Sequence, residues 1–186
     1  MPPAPKPQPS PEFATLMDKL RAAVAARPDD AKGLELLARN QTVLGNYEAA
    51  LTAQAKLIEV LGKAASSDQL LMMAHILIAE AGGYVSPEAE AWIVQVLEQD
   101  PKHPMARYLS GLMFAQVGRP DQAFALWQPL LTEGPTDAPW QVAIRADIQD
   151  VADQAGIKFS LPETKGPSMA DIQAAGEMTA EDRQAM

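Results

Sequence analysis

Apolar positions recur every three or four residues in stretch after stretch of this chain, the spacing that lines one face of an α-helix. Between residues 11 and 26 they are Phe13, Leu16, Met17, Leu20 and Val24. Ser10 offers a capping oxygen and Pro11 a preset φ, so a helix is predicted over 11–26. Pro28-Asp29-Asp30 stops it and opens the next. Paired helices are predicted over 31–44 and 47–61, over 68–80 and 87–99, and over 104–117 and 120–132. The turn at Gly45-Asn46 divides the first pair, the longer Gly82-Gly83-Tyr84-Val85-Ser86 the second, and Gly118 the third. Gly134-Pro135 closes the series. One more helix is predicted over 138–155, where Trp140, Ile144, Ile148 and Val151 fall near a spacing of four between polar residues, and Gly156 stops it.

The pairs repeat one another. Leu37–Leu51 reads LARNQTVLGNYEAAL and Ser110–Leu126 reads SGLMFAQVGRPDQAFAL. Each has a small residue (Ala38, Gly111), a glycine seven positions on (Gly45, Gly118) and an alanine five after that (Ala50, Ala123). A weaker copy lies between them, with Ala74 as its small residue and Leu97–Pro101 as its end. Small residues sit where two helix backbones approach closely. The period is near that of the tetratricopeptide repeat (TPR), about 34 residues, with short insertions. The predicted fold is therefore an all-α TPR solenoid of about three helix-turn-helix repeats, with a flanking N-terminal helix and a capping C-terminal helix. Residues 1–11, MPPAPKPQPSP, read as a Pro-rich, extended linker. Residues 12–156 read as the TPR domain. Residues 157–186 read as a tail, partly helical or disordered, with short helical stretches at 169–175 and 180–186. Trp92, Trp127 and Tyr84 are expected to pack between repeats.

Composition narrows the function. The 186 residues carry a net charge of −9, which speaks against nucleic acid or an anionic membrane surface as partner. No apolar run reaches the roughly 18 to 20 residues that span a bilayer, and the Pro-rich start is no signal peptide. Cysteine is absent, which rules out thiolate metal sites, disulfides and a cysteine nucleophile. His75 falls within a helix and His103 in an inter-repeat turn. Neither has an acidic neighbour at metal spacing, so a groove residue and a loop residue are expected, with no metal and no cofactor. No serine stands in a nucleophile-elbow context, and Gly82-Gly83 lacks the Lys and Ser/Thr of a phosphate loop. Catalytic residues are not expected, and the chain reads as a binding module rather than an enzyme.

Repeat geometry places the binding groove. TPR arrays present a concave face lined by the first helix of each repeat. Positions three before, one after and four after the small residue face it. They are Glu35, Arg39 and Thr42 in the first repeat, Leu71, His75 and Ile78 in the second, and Tyr108, Leu112 and Ala115 in the third. Together they predict a mostly apolar strip with a cationic end at Arg39, suited to an amphipathic helix or an extended apolar peptide. Met72, Met73, Met105 and Met113 lie around the middle of the array. Methionine repacks around varied apolar ligands, although Met73 and Met113 are expected to be core.

These residues resemble a specific family. The run LMDKLRAAVAARPDDAKGLELLARNQTVLGNYEAAL, the run DPKHPMARYLSGLMFAQVGRPDQAFALWQPLL, the following Pro139-Trp140 and the tail GPSMADIQAAGEMTAEDRQAM are similar to the periplasmic TPR domain of the c-type cytochrome biogenesis factor CcmI, also called CycH. The resemblance covers nearly all of residues 13–186. It implies a periplasmic chaperone-like module that captures apocytochrome c by its C-terminal helix and delivers it to the haem-ligation complex of cytochrome c maturation. Family members carry an N-terminal membrane portion that this chain lacks and extend a little past its last residue. The resemblance therefore implies an excised soluble domain whose only link to the inner membrane is that anchor. Two other classes stay open on the residues alone: a generic TPR scaffold for envelope complexes, and an enzyme with a hidden site.

Overall fold

The computed structural model describes residues 10–163 and 166–177, and among them the regular structure is helical, without strands. Most of the predicted Pro-rich linker and the helical stretch at 180–186 lie outside the described residues. The chain divides into two compact units, Met1–Pro101 and Lys102–Met186.

The first unit holds α1 (Pro11–Ala26), α2 (Ala31–Val43), α3 (Tyr47–Leu61), a short 3-10 turn (Gly62–Ala64), α4 (Ser67–Glu80) and α5 (Pro87–Gln99). Local chemistry sets these bounds. The Ser10 hydroxyl accepts from the Phe13 amide and the Asp30 carboxylate from the Gly33 amide. Ser66 and Gln69 make a reciprocal capping box, and Ser86 caps α5 just before Pro87. The α2–α3 pair closes on Ala38 and Ala50, both fully buried, with Leu34 and Leu57 beside them. A larger side chain at either alanine would push the backbones apart. Helix α4 buries Leu70, Leu71, Ala74, Ile76 and Ile78, a broader face than one stripe, because it packs against both α3 and α5.

The second unit holds α6 (Pro104–Gln116), α7 (Pro120–Leu130), α8 (Pro139–Gln154) and α9 (Met169–Glu177). Helix α7 ends two residues before the predicted Thr132. Pro129 has no amide hydrogen for the helical ladder, and the chain turns out directly after it. The α6–α7 contact is built on Gly111 and Trp127. A Cβ at Gly111 would lie 2.2 Å from Trp127 Nε1. The indole therefore lies against bare α6 backbone, and its N–H donates to the Tyr108 carbonyl at 3.0 Å. Within the second unit Trp127 thus packs between α6 and α7 and shares the α8 core of Ile144 and Ile148. Tyr84, also expected between repeats, is 51% exposed on its turn.

His103 is more than a loop residue. Its Nδ1 accepts from the Ala106 amide at 3.3 Å, so the imidazole caps α6 where Ser or Asp caps other helices. After Gly156 the chain becomes an extended strap. Ile157 and Phe159 pack on the core formed by Phe124, Trp127, Ile144 and Ile148, with Phe159 edge-on to Phe124 at 5.1 Å. Arg145 donates to the Pro162 carbonyl at 2.8 Å. The Thr136 amide donates to the Pro167 carbonyl at 3.1 Å, and the Met169 amide to Asp137 at 2.6 Å. The strap thus runs back along α8 to the loop that precedes it, where α9 begins.

Candidate functional site

In the first unit, Glu35 and Arg39 stand one turn apart on α2 and are joined at 3.4 Å. Arg39 is 69% exposed, so the guanidinium reaches solvent above its partner. The Thr42 hydroxyl donates back to the Ala38 carbonyl at 2.8 Å, which leaves its methyl and oxygen lone pairs half-buried on the same face. The α4 members differ in exposure. Leu71 is 2% and Ile78 9% exposed, so these two lie within the core, while His75 is half-buried. The apolar strip read from the sequence is therefore largely under the surface in α4. The face that α2 presents is polar.

The structure adds residues that the repeat geometry did not select. Glu35, Arg39, Gln54, Asp68, Gln69 and Met72 line one small pocket of about 70 Å³. The Glu35 carboxylate accepts from Arg39 through one oxygen and from Gln69 Nε2 at 3.3 Å through the other. Gln54, fully buried on α3, donates its Nε2 to the Gln69 carbonyl at 2.6 Å. Its Oε1 has no hydrogen-bond partner. A signal for Gln54 existed. It stands on the buried stripe Ala50, Ala53, Leu57, where a polar side chain is out of place unless something satisfies it. Elsewhere in this unit an apolar groove of about 610 Å³ runs between α1, α2 and α3, lined in part by Val24, Leu34, Leu37 and Ala49.

In the second unit, Tyr108, Leu112 and Ala115 are half-buried along α6 and pack against the α7–α8 core. The Tyr108 ring stacks on Trp127 at 5.8 Å and 21°. Burial, and then the nearby Asp147 carboxylate, raise the Tyr108 phenol above its ordinary pKa, so it stays a neutral hydrogen-bonding group at physiological pH. Among the described residues no three His, Cys, Asp or Glu side chains gather to hold a metal ion. No described helix is long and apolar enough to cross a membrane.

Comparison with known proteins gives these faces a context. No family model matches the chain. A solved structure of the MamA protein, a TPR solenoid, superposes with a TM-score of 0.57 at 16% identity, covering 78% of this chain and 75% of that one. The likeness bears out the all-α TPR reading of the repeats. The cytochrome c-type biogenesis protein CycH of Rhizobium meliloti is 32% identical over 178 residues, 96% of this chain and 46% of that protein. CycH of Bradyrhizobium diazoefficiens is 31% identical over 121 residues, 65% of this chain and 32% of that protein. Both names denote a factor of cytochrome c biogenesis. With a match along nearly its whole length, the chain belongs to the CycH (CcmI) family, as a stretch that spans less than half the length of these two relatives.

Proposed function

We propose that this chain is a periplasmic, chaperone-like binding module of cytochrome c maturation. It captures apocytochrome c by an amphipathic segment, the C-terminal helix, and delivers it to the haem-ligation complex. The observation that carries the reading is homology to two cytochrome c-type biogenesis proteins over most of the chain. The surface chemistry fits it. The module acts without cofactor or catalytic residue: the face of α2 offers Glu35, Arg39 and Thr42, and that of α6 offers Tyr108, Leu112 and Ala115. These groups suit non-covalent recognition of a side chain and backbone rather than bond making. Absence of cysteine suits the same work, since a thiol beside the Cys-x-x-Cys-His of an apocytochrome would exchange into mixed disulfides. In the whole protein an N-terminal anchor would hold the module at the inner membrane.

A folded partner would bury the apolar side of an amphipathic helix in its own core, so the unfolded chain is the form expected to present it. Calorimetric titration tests this. A peptide copying the C-terminal helix of an apocytochrome c is expected to bind with Kd on the order of 1 µM. Folded holocytochrome is expected not to bind, and Arg39→Ala to weaken the peptide complex. Equal binding of the folded form, or no binding of the peptide, would favour the second reading, a TPR scaffold for folded envelope partners.

A further inference from the structure

We infer that the apolar groove between α1, α2 and α3 is a second docking surface, which seats a basic amphipathic helix of a partner chain along about two of its turns. It uses another side of α2 than Glu35, Arg39 and Thr42. It therefore goes beyond the function proposed for those residues, and its test does not need that reading to hold.

One close approach and one gap build the groove. Val24 of α1 lies against α2 where Gly33 leaves the backbone bare, since a Cβ there would stand 3.1 Å from Val24 Cγ2. Past that contact α1 and α3 leave a gap of about 610 Å³, floored by α2. Val24 and Ala25 line one wall, Ala49 and Ala53 the other, with Leu34 and Leu37 beneath. Lys56 of α3 reaches Asp29 in the α1–α2 turn at 3.6 Å and closes one end. Gln41, tied to Asn46 at 2.9 Å, stands at the other. From Glu48 to Lys56 the α3 wall rises about 12 Å. A helix repeats apolar side chains at i, i+4 and i+7 over about that length. The Thr52 hydroxyl on this wall is spent on the Glu48 carbonyl at 2.9 Å, so the wall itself asks for no polar partner.

Charge names the occupant. The charged side chains that line the groove are Arg21, Glu48 and Lys56. Arg21 is paired with Asp18 at 2.8 Å, and Lys56 with Glu59 at 2.9 Å as well as with Asp29. Glu48 is exposed and has no ion pair among the described residues. The open charge of the groove is thus a carboxylate, and a lysine or arginine of the seated helix complements it. A fatty acid or an anionic lipid would bring a second negative group to the same place, so Glu48 selects against them.

The test uses the chain as it stands, with valine and leucine methyls labelled for NMR. The probe is an N-acetylated, C-amidated peptide of about 15 residues, long enough to form a helix. It carries leucines at i, i+4 and i+7 and a lysine at each end, so that one lysine meets Glu48 in either direction. Saturable shifts of the Val24, Leu34 and Leu37 methyls are expected, with Kd on the order of 100 µM. Ala49→Arg, at an exposed position on the wall, should weaken binding at least about tenfold by filling the groove, with unchanged helical circular dichroism. Glu48→Lys should weaken the lysine peptide about fivefold and favour the version with glutamates in place of the lysines. Arg39→Ala should leave this peptide unaffected. No saturable methyl shift, or binding indifferent to Ala49→Arg, overturns the groove. A Glu48→Lys variant that does not distinguish the two peptides overturns the basic occupant. A loss in Arg39→Ala as large as that in Ala49→Arg would put the peptide on the other face of α2 and remove the second surface. Failure of the apocytochrome peptide to bind alters none of these outcomes.

Discussion

At position 111 no side chain fits. Trp127 Nε1 occupies the place where a Cβ would stand, and the indole is committed to the Tyr108 carbonyl. Gly111→Ala must therefore displace a buried indole and break its hydrogen bond. We expect a loss of about 3 kcal/mol or more, read by urea unfolding. A change under about 1 kcal/mol would mean that α6 and α7 separate more easily than their packing implies. Asp171 gives a pH signature at the same scale. It accepts from the Ser168 amide and hydroxyl, both at 2.8 Å, and the amide bond first, then the hydroxyl bond, hold its carboxyl below its ordinary pKa. A lowered folded value means that the cap's contribution is present above the unfolded carboxylate value, about 3.9, and is lost as pH falls through the folded one. Titration of the Asp171 carboxyl by NMR should show a midpoint below about 3.9. A midpoint at or above it would remove the cap from the start of α9.

Among the elements, the strap has the least precedent in the repeat pattern. Phe159 is half-buried against Phe124, so Phe159→Ala should cost about 2 kcal/mol in urea unfolding, less than a core phenylalanine because part of the ring already meets solvent. No change would make the strap a passive follower of α8. The helices themselves were legible in advance because their ends are written locally. Ser10-Pro11, Ser66 with Gln69, Ser86-Pro87 and the glycine turns each carry a cap or a left-handed residue that needs no tertiary partner. Features set by a distant partner were not legible. The buried face of α4 hid Leu71 and Ile78, because a helix flanked by two others does not follow one stripe. Trp127 needed Gly111 opposite it, sixteen residues away, and His103 caps a helix through a ring nitrogen that caps rarely use. Of the small polar pocket on the first unit only Glu35 and Arg39 came from repeat geometry. Gln54, Asp68 and Gln69 join it because α3 and α4 meet there.

For the whole molecule, the net charge of −9 acts beyond any single contact. A cationic amphipathic segment should associate faster at low ionic strength, with a rate that falls by about tenfold between 20 and 500 mM salt. Stopped-flow measurement of that rate checks it, and a salt-independent rate would leave the net charge without a part in capture. The Tyr108–Trp127 stack has a further consequence, an optical one. Trp127 is 1% exposed, so its emission should lie at short wavelength, and its stacking partner is a residue on the proposed recognition face of the second unit. Anything that seats on Tyr108 alters the surroundings of the indole. The protein therefore carries a native fluorophore one ring behind the proposed recognition face, and with Trp92 and Trp140 replaced by Phe its emission would report occupancy of that face in real time without an attached label.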